Sequence, residues 1–127
     1  MLLKNGSFYY EKRLVSGDLR VTGETIAAFS PQIAGGLMPL ANEEVLELGG
    51  AAVIPAFLDI HTHGAVGVDV NAASAEDFEK LARFFARQGT GSFLCSILTD
   101  TEAQTERAIQ AFLDWRKLPH AGADLLG

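Results

Sequence analysis

Two of the three histidines in the chain lie two residues apart, in Asp59-Ile60-His61-Thr62-His63-Gly64, directly after an apolar run. Side chains at i and i+2 of a strand project to the same side, so Asp59, His61 and His63 share one face and Thr62 points the other way. Two imidazoles on one face can both reach a divalent metal at ~2.0 to 2.1 Å; zinc is favoured, and iron, manganese or cobalt suit the same ligands. Asp59 can order that pair by accepting a hydrogen bond from a ring nitrogen. A catalytic zinc ordinarily takes three protein ligands and a water, so His61 and His63 supply part of a site and a further ligand must come from elsewhere. The plainer alternative is a pair of polar residues at a strand end whose hydrogen bonds are met by nearby loops. Position after an apolar strand, with Asp59 before and Gly64 after, favours ligation.

Other candidates are weaker. His120 sits in Pro119-His120-Ala121-Gly122 and reads as an exposed loop residue. Asp69 lies in the loop after the histidines, where stabilising a turn is favoured over touching a substrate. Thr99 and Asp100 end the next apolar run, and Asp100 is placed to favour a helix N-terminus. Cys95 is the only cysteine, which excludes an intrachain disulfide; Phe93, Leu94 and Ile97 around it predict a buried thiol rather than a nucleophile.

The elements that position these residues change character near residue 52. Residues 1–52 show no helical periodicity and read as short strands punctuated by Asn5-Gly6, Ser16-Gly17-Asp18, Gly23-Glu24 and Gly35-Gly36. Residues 19–22 and 25–29 form a predicted hairpin, 30–42 a loop, and 45–48 a further strand. Residues 51–60 are almost uninterruptedly apolar, as in a strand covered on both faces of a parallel sheet. Ser74 with Asp77 forms a capping pattern ahead of Phe78, Leu81, Ala82 and Phe85, one amphipathic helix that Gly89 ends. Residues 92–98 read as a second buried strand. Thr101 with Gln104 opens a second helix with Thr105, Ala108, Ile109, Phe112 and Leu113 inward, closed by Pro119 and Gly122. A third apolar run begins at residue 123. Strands followed by β–α–β–α–β predict right-handed parallel crossovers, whose strand C-termini are where such folds place ligands.

Composition narrows the function classes. Hydrophobic residues make up 48 % and charged residues 20 %, which describes a globular chain. The formal charge of −6 with no basic cluster argues against nucleic acid as a partner. The longest uncharged stretch, residues 25–42, holds Pro31, Gly35, Gly36 and Pro39 and cannot be a membrane helix, so no membrane association is expected. The opening Met-Leu-Leu-Lys-Asn-Gly lacks a secretory pattern, and a cytoplasmic location is the expectation.

Val53-Ile54-Pro55-Ala56-Phe57-Leu58-Asp59-Ile60-His61-Thr62-His63-Gly64 resembles the first barrel strand of the amidohydrolase superfamily, Pro-Gly-Phe-x-Asp-x-His-x-His. The continuation Gly64-Ala65-Val66-Gly67-Val68-Asp69, with Gln88-Gly89-Thr90-Gly91-Ser92-Phe93-Leu94 and Leu98-Thr99-Asp100-Thr101, is more similar to the N-acetylglucosamine-6-phosphate deacetylases within it. The resemblance covers nearly the whole chain and is strongest over residues 53–101. It implies an α/β architecture: residues 1–52 as part of a small β-sandwich, and residues 53–127 as the first two βα units of a (β/α)8 barrel. His61 and His63 match the paired metal ligands and Asp59 the aspartate before them. Some family members lack the pair and use one metal held by a third-strand glutamate and two later histidines, so the pair implies a two-metal capacity. Leu125-Leu126-Gly127 looks like the approach to that third strand, with the glutamate beyond it.

The activity implied is hydrolysis of the N-acetyl amide of N-acetylglucosamine 6-phosphate, by a full-length parent that acts as a homodimer. A barrel of eight strands needs roughly 250 residues, so the 127 residues here are expected to be inactive alone and to expose Phe93, Leu94 and the strand faces. Ala56 stands where the family has glycine, and Cys95-Ser96 where it has Pro-Thr; neither is expected to touch a metal ligand. Two other readings stand beside this one: a non-catalytic α/β module with structural histidines, and another cyclic-amide hydrolase or deaminase of the superfamily.

Overall fold

A computed structural model describes residues 1–127 as two compact units, Met1–Pro55 and Ala56–Gly127. The first is a five-stranded sheet of β1 (Leu2–Tyr10), β2 (Arg13–Thr22), β3 (Thr25–Pro31), β4 (Val45–Glu47) and β5 (Ala52–Val53). Antiparallel hairpins join β1 to β2 and β2 to β3, while β4 and β5 run parallel to β1 and share its other edge. The predicted hairpin around Gly23-Glu24 is present, with Thr22 opposite Thr25.

Two predicted turns are instead strand interiors. Asn5-Gly6 is a bulge in β1: Asn5 tolerates φ of 53°, and a Cβ on Gly6 would lie 2.6 Å from Leu48 Cδ1. Gly17 lies within β2 because a Cβ there would meet the Ser30 carbonyl oxygen at 2.4 Å. Beside it, buried Asp18 accepts the backbone N–H groups of Asn5 and Leu37 at 2.9 and 2.8 Å. Burial pushes this carboxyl up, but those two bonds and the Lys4 charge outweigh it and hold the group below its usual value.

Arg20 and Glu43 form the strongest ion pair of this unit, a two-bond contact at 2.7 and 2.9 Å between largely covered side chains. The Arg20 bond and the Leu40 N–H bring the Glu43 carboxyl from 4.5 down to about 2. Its folded value lies below its unfolded one, so the contribution to stability is complete above pH 4.5 and is lost as pH falls toward 2. Thermal midpoints measured from pH 6 downward should therefore fall less steeply for Glu43→Gln than for the parent in that window.

The second unit is β6 (Phe57–Thr62), α1 (Ala75–Arg87), β7 (Thr90–Cys95), α2 (Glu102–Trp115) and β8 (Asp124–Leu125), with a parallel sheet in the order β6-β7-β8. Ser74 and Asp77 make the predicted reciprocal cap, and Phe78, Leu81, Ala82 and Phe85 are the buried face of α1. Gly89 takes φ of 84° directly after that helix. Thr101 caps α2 by accepting the Gln104 N–H at 3.3 Å.

Elsewhere the structure corrects the reading. Residues 51–60 are two strands, because Pro55 lacks an N–H and the ladder breaks across residues 54–56. β6 is paired with β7 alone, and Phe57, Leu58 and Ile60 are 62, 55 and 69 % exposed; this agrees with the exposed strand faces expected of a partial barrel and not with cover on both faces. Phe93, expected to be exposed, is fully buried in the central strand beneath Phe85, with ring centroids 4.7 Å apart. On α2 the buried residues are Ala108 and Trp115, while Ile109 and Leu113 are exposed. Trp115 turns inward to donate its indole N–H to Glu79 on α1 at 3.3 Å. α2 ends there, ahead of Pro119, and Gly122 serves another purpose: a Cβ on it would lie 2.5 Å from the Ala82 backbone, where Ala123 N–H donates to the Ala82 carbonyl.

Candidate metal centre

His61 is the penultimate residue of β6 and His63 follows its end, and both are exposed while Thr62 between them is buried. The rings meet edge to face, with centroids 4.9 Å apart and planes at 89°. Asp59 is on the same strand, but its carboxylate accepts the backbone N–H of His61 at 3.1 Å instead of a ring nitrogen. The ring bonds go to Ser96, just past β7. Its carbonyl oxygen is 2.8 Å from His63 Nδ1 and its Oγ is 2.9 Å from His61 Nδ1. Ser96, expected to touch neither ligand, therefore touches both. The family contrast at Cys95-Ser96 was the available signal, because it marked the strand end that adjoins the pair.

The loop after His63 is tightly folded. Gly64 adopts φ of 129°, and a Cβ there would fall 2.0 Å from the Val68 carbonyl oxygen. Val70 N–H returns to the His63 carbonyl at 3.0 Å, and Asp69 accepts the Asn71 N–H at 3.0 Å, which is the turn-stabilising role. Asn71, unremarked in the sequence, pins this loop to the one after β7. Its amide donates to the Leu98 carbonyl at 3.0 Å and accepts the Leu98 N–H at 2.9 Å, while Gln104 donates to its carbonyl. Asp100 accepts the Thr101 N–H at 2.7 Å beside the start of α2. His120 stands apart, stacked on Trp115 at 4.2 Å.

With Nδ1 of both rings occupied, Nε2 is the free nitrogen of each. At 4.9 Å between centroids the two rings are near enough to serve one ion through bonds of ~2.0 to 2.1 Å. The donor set fits a borderline metal such as zinc, but it stops at two: no group of three or more His, Cys, Asp or Glu is placed to hold an ion. Cys95 is not grouped with the pair: it packs against the core and lines an apolar cavity with Val70, Phe78 and Leu125, where burial, with the Asp59 charge, pushes its thiol up to about 11.

No protein-family model matches the chain. An N-acetylgalactosamine-6-phosphate deacetylase of Escherichia coli O157:H7 is 31 % identical over 109 residues, which is 86 % of this chain and 26 % of that protein. This chain is a relative of the amino-sugar 6-phosphate deacetylases. The solved N-acetylglucosamine-6-phosphate deacetylase of Pasteurella multocida superposes on 96 % of it with a TM-score of 0.79 at 23 % identity, and so shares the fold. The chain spans 32 % of that deacetylase. A dihydroorotase of Bacillus subtilis is 41 % identical over a shorter stretch, 63 residues, or 49 % of this chain and 14 % of that one. No helix of this deacetylase relative is long and apolar enough to cross a membrane.

Proposed function

We propose that these residues form the opening part of a longer, cytoplasmic, homodimeric amidohydrolase that cleaves the N-acetyl amide of N-acetylglucosamine 6-phosphate to glucosamine 6-phosphate and acetate. Residues 1–55 belong to its β-sandwich and residues 56–127 begin its barrel, a boundary moved from residue 52 because Val53 pairs with Phe8. The observation that carries the reading is the imidazole pair at the C-terminal end of a parallel strand, 4.9 Å apart with both Nδ1 atoms engaged. That is the end of a parallel sheet where catalytic groups gather. Similarity to a deacetylase over 86 % of the chain supports the substrate class.

His61 and His63 would hold a zinc ion, or iron, manganese or cobalt, which would supply Lewis acidity and an activated water. The protein's own residues hold the rings and order the loop beside them. The remaining ligands, the general base and the phosphate-binding groups come from other segments, so the 127 residues alone do not turn over substrate. The shorter similarity to a dihydroorotase favours a second reading, hydrolysis of a cyclic amide.

Acetate release from N-acetylglucosamine 6-phosphate, measured on the longer protein before and after chelation, separates the two. The first reading predicts chelator-sensitive acetate release, restored by zinc. Ring opening of dihydroorotate without acetate release would move the assignment to the second reading, and turnover by residues 1–127 alone would contradict the division of the site.

A further inference from the structure

Three consecutive residues, His61, Thr62 and His63, all bond to Ser96. The Ser96 N–H donates to the Thr62 carbonyl at 2.7 Å, its Oγ lies 2.9 Å from His61 Nδ1, and its carbonyl oxygen lies 2.8 Å from His63 Nδ1. We propose that Ser96 is a positioning residue that holds both imidazoles by two different means: its backbone carbonyl fixes the tautomer of His63, and its hydroxyl holds His61 Nδ1 in a bond that can run either way. The inference rests on the metal-binding reading for its purpose, but its geometry does not involve a metal.

A carbonyl oxygen only accepts, so the His63 proton resides on Nδ1, and the neutral ring presents a lone pair on Nε2. No side chain at position 96 alters that bond. A hydroxyl, by contrast, donates or accepts as its hydrogen rotates. When His61 Nδ1–H donates to Ser96 Oγ, its Nε2 is a ligand; when the hydroxyl donates to Nδ1, the His61 proton sits on Nε2 and the ring cannot bind. Ser96 Oγ therefore accepts when His61 ligates, and a metal on Nε2 selects that arrangement. Outer partners of this kind fix ring orientation and tautomer in metal sites, and losing one typically costs ~10- to 100-fold in affinity.

The test uses long-range 15N–1H correlation spectra of the histidine rings in the metal-free chain, at a pH where both rings are neutral, together with zinc titrations. Ser96→Ala is expected to leave His63 with its proton on Nδ1 and to change the ring-nitrogen pattern of His61 alone. It should weaken zinc binding by ~10- to 100-fold with an unchanged thermal midpoint, since both backbone bonds of residue 96 remain. Ser96→Thr keeps the hydroxyl and should restore the parent spectrum and affinity. A parent-like His61 pattern in Ser96→Ala would overturn the proposal, as would a His63 ring protonated on Nε2 in the parent. If the parent binds no zinc but the ring patterns behave as stated, the tautomer assignment stands and the metal reading fails.

Discussion

Replacing His61 and His63 together with alanine should abolish zinc binding by the chain and leave its fold intact. Both rings are exposed, stand at or beyond the end of β6, and contact each other and Ser96 rather than the core. Truncating exposed side chains of this kind moves stability by only about 0.5 kcal/mol. With both imidazoles gone, the nearby groups are the Asp59 carboxylate, already taken by the His61 backbone N–H, and a protonated Cys95 thiol. Neither of these groups alone matches a pair of imidazoles on one face. In zinc titrations the specific binding seen with the parent should fall to background, with an unchanged far-ultraviolet circular dichroism spectrum. Zinc retained at parent affinity would place the metal elsewhere.

A second large effect is on stability. Phe93→Ala should cost the Ala56–Gly127 unit about 3 to 5 kcal/mol, the usual loss for a fully buried phenylalanine. Phe93 lies in the central strand of the parallel sheet, paired to β6 on one side and to β8 on the other, with Phe85 of α1 against its ring. No backbone neighbour can close the cavity without breaking a ladder. Typical domains have only ~5 to 15 kcal/mol in total, so urea denaturation should begin near zero denaturant for this variant. Ile109→Ala, at a position 45 % exposed, should shift the same transition by under about 1 kcal/mol. Equal effects at the two positions would contradict the core described.

The elements that were legible in the sequence are those whose signals are local. Ser74 and Asp77 announce the α1 cap because both halves of the reciprocal bond lie within one turn, and Gly89 marks its end through a positive φ. The His61 and His63 pair is legible because a strand's period of two places them together. Less local features were not. The β1–β2 hairpin turns on Glu11 and Lys12 at φ of 48° and 64°, a conformation usually occupied by Asn and Gly, so the residue types gave no sign of it. Asn5-Gly6 has a turn's residue types but serves a bulge, because the constraint at Gly6 comes from Leu48, far along the chain. Apolar character over residues 51–60 could not reveal that the run serves two sheets. Ser96 escaped for the same reason: its role depends on a parallel pairing that brings position 96 beside Thr62, across a helix and a strand.

Zinc K-edge X-ray absorption on the chain loaded with one equivalent of zinc tests the central claim, that His61 and His63 are one half of a hydrolase metal site. The spectrum should show two imidazoles bound at ~2.0 to 2.1 Å, with oxygen completing the shell and no sulfur. A sulfur scatterer at ~2.3 Å, or a shell without imidazole, would contradict it.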